Sequence, residues 1–203
     1  SLKDMVHAKY KKCDIAGMTA KEQLEAINIQ AKGLVECQYN TYNRSLLPTL
    51  NKEGIYIYNK HEELNEEQKK YVDKYFEESV YPVLTPMAVD ASRPFPLIRN
   101  KTLNIAALLS GKQTNKEIMF ATVQVPGVLS RLVPIPGEEN TTCFILLEQI
   151  IERNIQKLFS NNEVLCAYPY RIMRNADLTI DEDEASDLLK EIQNRIGRAL
   201  CRE

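Results

Sequence analysis

The sequence has few of the residues that enzymes commonly use at metal and nucleotide sites. It contains two histidines, His7 and His61, seven glycines and no tryptophan. The glycines are scattered, and none forms the G-x-G-x-x-G or G-x-x-x-x-G-K spacing in which backbone amides approach a phosphate. Both histidines stand apart from each other among polar and lysine-rich neighbours, so we expect surface positions and no metal site. The residues by themselves therefore indicate no catalytic site.

The sequence also lacks long apolar runs and paired cysteines. No stretch approaches the roughly eighteen apolar residues of a membrane span, and the first residues lack the apolar core of a secretion signal. The five cysteines are odd in number and include no C-x-x-C pair. This usage favours reduced thiols and a cytoplasmic location over disulfides or zinc. The chain begins with Ser1, and we expect it to be a piece of a longer protein.

Neither sign of charge is in large excess. The 203 residues include 26 Lys and Arg against 28 Asp and Glu, a net charge of -2. This balance argues against a general nucleic-acid binder and leaves local basic patches open. With 44% hydrophobic and 27% charged residues, the composition is that of a soluble globular protein with one sizeable domain, or one domain plus a helical appendage.

The amino-terminal part predicts a long amphipathic helix. Thr19 and Glu22 have the spacing of a capping box. Apolar residues follow at intervals of three and four, at Leu24, Ile27, Ala31 and Leu34. The next proline is Pro48, so we expect the helix to end at about Leu47. Such a helix needs partner helices, and only the weakly helical residues 2–13 are available here, so its bundle looks incomplete.

From about residue 49 the sequence predicts an α+β domain with a mixed sheet. Strands are expected at Gly54–Tyr58, Leu103–Ser110, Ile118–Val125, Leu132–Ile135, Thr142–Leu146 and Val164–Met173. The connection between the second and third of these is too short for a crossover helix, so they should pair as antiparallel neighbours. Pro169 within the last strand indicates a sheet edge or a bulge.

Three further helices are predicted in the same domain. The first is capped by Asn65 and Gln68, runs to about Ser79, and has an expected buried face of Tyr71, Val72, Tyr75 and Phe76. The second spans about Leu147 to Phe159. The last begins at Asp181, where the acidic run Asp181–Glu184 fits helix capping better than metal binding.

Residues 81–98 are rich in proline and yet apolar. Pro82, Pro86, Pro94 and Pro96 exclude a helix or a central strand. Apolar side chains in such a loop should be packed inward rather than left in water. We therefore expect a rigid joint with four buried side chains, those of Val83, Leu84, Phe95 and Leu97.

Four arginines are the candidate phosphate-binding residues. Arg93 and Arg99 flank the Pro94–Pro96 turn, and Arg171 and Arg174 lie in "YRIMRNADL". A guanidinium can bind phosphate oxygens with two parallel hydrogen bonds. Structural ion pairs, for instance with Asp177, are the commoner use of arginine, and both interpretations stay open.

Several long segments resemble the polyphosphate kinases of bacteria. "PVLTPMAVD" and "RPFPLIRNKTLNIAALL" are similar to the middle part of that family, with Arg93 and Arg99 standing where the family usually has histidine and often has serine. "YRIMRNADL" resembles the family's "FRVTRDADL". "TAKEQLEAIN" and "LVECQYNTYNRSLLPTL" are similar to the end of its N-terminal helical domain. The irregular proline positions make the resemblance specific.

The resemblance implies a non-catalytic fragment, with residues 1–48 ending the N-terminal helical domain and residues 49–203 forming the middle, or head, domain. Family members transfer the terminal phosphate of ATP reversibly onto polyphosphate, using Mg²⁺ and a phosphorylated histidine. That histidine lies in C-terminal catalytic domains without counterpart here, so we expect no catalytic residue, metal site or cofactor in this chain. The parent enzyme would be cytoplasmic or membrane-associated without spanning the membrane.

The implied partners are a second copy of the chain, the parent's catalytic domains, and the parent's ATP and polyphosphate; no nucleic acid is expected. In the family the head domain contributes dimer contacts and walls the tunnel near nucleotide and polymer. Two alternatives remain, a free-standing module that binds an anion or a partner, and a purely structural dimerisation domain. A salt-sensitive affinity for polyphosphate would favour the first, and a stable dimer without anion binding would favour the second.

Overall fold

The computed structural model describes residues 2–89, 98–111 and 118–173. Arg93, Arg174, Asp177 and the helix predicted from Asp181 lie outside the described residues. The chain divides into two compact units, Ser1–Tyr56 and Ile57–Glu203. In the described part of the chain, no helix combines the length and apolar character needed to cross a membrane.

The first unit is helical. Helix α1 spans Leu2–His7, α2 spans Ala20–Thr41, a π turn spans Tyr42–Leu46, and α3 spans Leu47–Lys52. The capping box predicted at the start of α2 is confirmed, since the Thr19 amide donates to Glu22 Oε2 at 2.8 Å and the Glu22 amide donates to Thr19 Oγ1 at 3.3 Å. Because α2, the π turn and α3 follow one another directly, the chain forms one helical rod from Ala20 to Lys52.

The predicted end of this helix at Leu47 is wrong, because the rod continues through Pro48. The Leu47 amide donates to the Tyr42 carbonyl, five residues back, and this wider turn comes just before the proline. Pro48 has no amide to donate to the preceding turn, and beside it the Thr49 hydroxyl donates to the Ser45 carbonyl at 2.8 Å. The π turn thus accommodates the proline within a continuous rod.

The apolar stripe of α2 is largely exposed. Ile27 is 52% exposed and Leu34 is 71% exposed, while Leu24 is half-buried. Helix α1 packs beside α2 but leaves these side chains uncovered. The stripe therefore presents a long apolar surface on the first unit.

The described strands form two sheets. One has three strands in the order β1-β6-β5, namely Ile55–Tyr58, Thr142–Leu146 and Leu132–Ile135. The other has four strands in the order β2-β4-β3-β7, namely Pro86–Val89, Ile118–Gln124, Leu103–Gly111 and Asn162–Arg171. All neighbours in the four-stranded sheet are antiparallel, as is the β5–β6 pair. The predicted α+β class is confirmed.

The edge strand β7 carries the irregularity that its proline suggested, at a different residue. Leu108 pairs with Cys166 and Leu109 pairs with Val164, so Leu165 has no partner on β3. Pro169 itself lies in register opposite Ile105. Among the described strands β7 lies at the edge, as predicted, and the bulge lies four residues before the proline.

Helix α4, Glu66–Tyr75, continues into a π turn at Phe76–Val80 and a 3-10 turn at Tyr81–Val83. Its capping box is confirmed by reciprocal bonds between Asn65 and Gln68. Val72 and Phe76 are fully buried, as predicted. Tyr71 is 40% exposed and Tyr75 only half-buried, so the predicted apolar face was too wide.

The helix predicted over Leu147–Phe159 is divided into α5, Leu147–Arg153, and α6, Ile155–Leu158. Asn154 lies at the break, where its side-chain amide donates to the Ile150 carbonyl and to Asp73, each at 3.1 Å. Helix α5 packs on β3 and on the π turn after α4. The core consists mainly of fully buried residues on these elements: Val72, Phe76, Val80, Ile105, Leu109, Ile145, Leu147, Ile150 and Ile151.

The proline-rich joint is more regular and less buried than predicted. Pro82 lies in the 3-10 turn, and Pro86 begins β2, which is an edge strand and so needs no donor on its outer side. Val83 is 45% exposed and Leu84 half-buried, so the prediction of burial is wrong for Val83. Phe95 and Leu97 lie outside the described residues.

Candidate functional site

The structure brings two of the four predicted arginines to one end of the four-stranded sheet. Arg99 opens the turn that precedes β3, and Arg171 is the last residue of β7. In the antiparallel register Arg171 lies opposite Leu103, the first residue of β3. The Lys101 amide donates to the Ile172 carbonyl at 2.8 Å, which fastens the turn to the end of β7. The arginines therefore belong to adjoining segments.

The turn between Arg99 and β3 is held by several hydrogen bonds. The Thr102 hydroxyl donates to the Arg99 carbonyl at 2.8 Å, and the Thr102 amide donates to the same oxygen at 3.4 Å. The buried Asn104 side chain donates to the Thr102 carbonyl at 3.0 Å and hydroxyl at 3.1 Å. This network fixes the backbone from which Arg99 and Lys101 extend.

Lys101 has an uncommon backbone conformation. Its φ is +62°, in the left-handed region where glycine is the ordinary choice. A lysine here costs conformational energy that a glycine would avoid. Sequence reasoning did not include Lys101 among the site residues, because the left-handed conformation of a non-glycine residue leaves no sequence signal.

The exposed basic side chains at this sheet end have no carboxylate partner among the described residues. Arg99, Lys101 and Arg171 are all exposed, and no ion pair involves them within that part of the chain. By contrast, Arg153 holds both oxygens of Asp73 at 2.8 and 2.9 Å. Arg99 and Arg171 therefore form no structural ion pair of the Arg153–Asp73 kind within the described residues. Asp177, the partner considered from the sequence, lies outside them.

Acidic residues are nearly absent from the four-stranded sheet. Strands β2, β3 and β4 contain no Asp or Glu, and β7 contains only Glu163. Glu163 pairs with Ser110, at the opposite end of the sheet from Arg171. Eight residues of extended strand separate the two charges, a distance of roughly 26 Å. The sheet thus has a basic end that its own strands do not neutralise.

Tyr170 anchors β7 next to Arg171. Its hydroxyl lies 2.7 Å from Thr122 Oγ1, across the intervening strand β3. Burial raises the pKa of the Tyr170 phenol to about 12, although the hydrogen bond with Thr122 opposes this shift. The phenol is therefore neutral at physiological pH and adds no negative charge to the basic end.

The two histidines differ in their surroundings. His7 is exposed at the end of α1, as predicted. His61 is half-buried, so the expected surface position is wrong for it. Gln149 Oε1 accepts from the His61 amide at 3.1 Å and lies 3.3 Å from His61 Nδ1. The partners are 88 residues apart in sequence, so local sequence context did not reveal them.

Gln149 connects His61 to a carboxyl group. Its side-chain amide donates to Glu152 Oε2 at 2.7 Å. Burial raises the pKa of Glu152, and the negative charges of Glu62 and Glu148 add to that effect. The network runs from an imidazole through an amide to a carboxyl group, and it includes no hydroxyl or thiol nucleophile, so its arrangement is that of a structural polar cluster.

No metal-binding group is present in the described ranges. Within them, no three His, Cys, Asp or Glu side chains are close enough to hold an ion.

Two sequence profiles of known families match the chain in succession. The profile of the polyphosphate kinase N-terminal domain matches residues 1–58, and that of the polyphosphate kinase middle domain matches residues 67–199. The chain is 47% identical over 196 residues to a polyphosphate kinase of Lactiplantibacillus plantarum and 42% identical over 198 residues to one of Halalkalibacterium halodurans. Each alignment covers 97% of this chain but only 27% and 28% of the relatives.

A solved structure agrees with these matches. The crystal structure of polyphosphate kinase from Porphyromonas gingivalis superposes with a TM-score of 0.73 at 27% identity. The superposition covers 85% of this chain and 28% of that one. The chain thus spans little more than a quarter of the proteins that it resembles.

Proposed function

The chain belongs to the polyphosphate kinase family, and on this premise we propose that it is the non-catalytic amino-terminal and middle part of such an enzyme. The parent enzyme would transfer the terminal phosphate of ATP reversibly to inorganic polyphosphate. The succession of the N-terminal and middle-domain profiles along one chain carries the proposal. We assign residues 1–48 to the helical domain and residues 49–203 to the middle domain.

We assign the chemistry of the parent to its C-terminal catalytic domains. In the family a histidine of the C-terminal catalytic domains takes up the phosphate, with ATP and Mg²⁺ bound by the parent. His7 lies on a short exposed helix, and His61 is tied to Gln149. Neither is within a matching motif, so we assign no catalytic residue to the chain. A cytoplasmic location belongs to the same proposal.

Labelled ATP, Mg²⁺ and polyphosphate test this assignment. The 203-residue chain should neither lengthen polyphosphate nor retain acid-labile phosphate, whereas a protein from the natural reading frame extended beyond Glu203 should do both. His7→Ala and His61→Ala in the extended protein should leave activity unchanged. Stoichiometric acid-labile phosphate on either histidine of the 203-residue chain would contradict the proposal.

We further propose that this part of the enzyme serves dimerisation and helps to wall the tunnel for nucleotide and polymer. The exposed stripe of α2 supports a role in association, because long apolar faces are usually covered by a partner, and twofold dimers are the commonest oligomers. Light scattering should show a dimer at tens of micromolar, a range typical of weak contacts. The double variant Leu24→Glu/Ile27→Glu should be monomeric if the stripe forms the contact. If it remains dimeric, the head domain forms the contact instead, and a monomeric unmodified chain would refute dimerisation.

A free-standing anion-binding module is the second candidate function. It is favoured by the basic end of the four-stranded sheet, which could act without any catalytic domain. A natural reading frame that stops at Glu203 would favour this candidate, and one that continues into the catalytic domains would favour the first.

A further inference from the structure

We propose that Arg99, Lys101 and Arg171 form a binding site for a linear inorganic polyphosphate chain. The three cations extend from two segments joined by the Lys101–Ile172 hydrogen bond. No carboxylate of the described residues pairs with them, and the adjoining strands contribute none at this end. The choice of polyphosphate as the polyanion rests on the proposed function, whereas the site itself rests on this geometry.

Lys101 occupies a position of the turn at which glycine or asparagine is the ordinary choice. A hydrogen-bonded turn that needs a left-handed residue ordinarily has glycine or asparagine there. The chain has a lysine at φ +62°, and the neighbouring Asn104 is used to brace the turn instead. Lys101 therefore combines a strained backbone with a charge, and its replacement by glycine separates the two effects.

The exposure of the three side chains indicates a polymer rather than a single phosphate. One exposed cation binds one anion weakly in water. When several phosphates belong to one covalent chain, the later contacts form at high effective concentration, and weak contacts together give measurable affinity. Because the turn is already braced by Thr102 and Asn104, little ordering of the backbone opposes binding.

The same surroundings disfavour a nucleic acid. Proteins that bind single strands usually provide exposed aromatic rings on which the bases stack. The aromatic residue beside Arg171 is Tyr170, which is half-buried and engaged with Thr122. A polyanion without bases fits this surface better.

Fluorescence anisotropy of end-labelled, medium-length polyphosphate with the 203-residue chain tests the site. Arg99→Gln, Lys101→Gln and Arg171→Gln should each weaken binding about two- to fivefold, as expected for exposed charge pairs. The slope of log affinity against log salt should fall by about one for each cation removed. Lys74→Gln is the matched control, because Lys74 is exposed on α4, away from the site, and its loss changes the net charge equally.

Lys101→Gly separates binding from structure. It removes both the charge and the strain of a side chain at positive φ. The variant should therefore be at least as stable as the unmodified 203-residue chain and still lose affinity for polyphosphate. Lys101→Arg should restore affinity. Unchanged affinity in Lys101→Gly would mean that the lysine has no role in binding and would overturn the proposal.

Competition identifies the ligand class. Unlabelled polyphosphate should displace the probe at far lower phosphate concentration than orthophosphate, ATP or single-stranded DNA. Equal competition by DNA, or an equal loss in Lys74→Gln, would show a general polyanion surface and refute the site. Failure of polyphosphate to bind while the extended protein still synthesises polymer would refute the site alone. Site-dependent binding together with an inactive extended protein would instead refute the proposed function.

Discussion

Replacing Phe76 with alanine is the sharpest test of how the second unit is packed. Phe76 lies in the π turn after α4 and is 0% exposed. Its ring meets that of Tyr81 edge to face, with centroids 5.9 Å apart and an interplanar angle of 64°. Lys157 Nζ lies 5.8 Å from the Phe76 centroid. The side chain therefore fixes the π turn, the 3-10 turn and α6 relative to one another.

The expected cost of Phe76→Ala follows from these contacts. Removing a fully buried phenylalanine usually costs about 3–5 kcal/mol. Of that cost, the ring pair contributes about 0.5–1.5 kcal/mol, and the partly exposed lysine about 0.5–1 kcal/mol. For a chain of this size each kcal/mol lowers the melting temperature by about 2–4 °C, so we expect a fall of roughly 6–20 °C.

Amide hydrogen exchange of β3 provides the assay. Residues 105–109 are at most 5% exposed, so their exchange reports opening of the core rather than surface fluctuation. Tyr81→Ala, at a half-exposed position, should cost only the ring pair, and Phe76→Leu should cost less than Phe76→Ala. A loss below about 1 kcal/mol in Phe76→Ala would refute the assigned packing.

Three further predictions concern two charged groups and the proline-rich joint. Because the pKa of Glu152 is raised in the folded protein, its contribution to stability is present below the ordinary pKa of the carboxyl group and is lost as the pH rises through the raised value. In urea denaturation, Glu152→Gln should therefore raise the free energy of unfolding at pH 7 and change it little near pH 4. A variant that is less stable at pH 7 would contradict this prediction. Arg131→Ala should cost about 3 kcal/mol, the lower end for a broken buried pair, because Glu148 is 4% exposed while Arg131 is 57% exposed; Arg131→Lys, which keeps the charge but not the double hydrogen bond, should cost less. Phe95→Ala should cost about 3–5 kcal/mol, because Phe95 is expected to be buried, and a loss under about 1 kcal/mol would refute that expectation.

Six of the seven described strands were predicted because their signals are local; β2 was missed, since it lies in the proline-rich segment that was expected to be a loop. The run from Leu103 is apolar, short and bounded by polar residues, and the structure forms β3 there with its central residues buried. The Asn65 and Thr19 caps likewise depend on residues three positions away. Such signals need no knowledge of the rest of the fold.

The prediction failed where an element depends on distant or backbone-level features. Apolar character placed Val83 in the core, but in the 3-10 turn nearly half of this residue is exposed. The half-burial of His61 depends on Gln149, far along the chain. The helix was predicted to end at Leu47 because Pro48 follows it, but the sequence did not reveal the π turn that allows the helix to continue through the proline.

The candidate site was predicted in pieces. Arg99 and Arg171 were each identified from the sequence, but as members of two separate groups. Their proximity follows from the pairing of β3 with β7, which the apolar pattern of either strand alone cannot specify. Lys101 was missed because its importance lies in a dihedral angle. The sequence thus supplied the residue types, and the sheet register supplied their arrangement.

The π turn at Tyr42–Leu46 affects which one-residue deletions the helical rod can tolerate. A π turn holds one residue more than the α-helical turn that it replaces, so loss of one codon within residues 42–46 would restore a regular helix while α2 and α3 keep their faces. Pro48 opposes that deletion, because in a regular α-helix its ring would press against the carbonyl four residues before it. Relatives one residue shorter here should therefore also have replaced the proline, and the two changes should be inherited together.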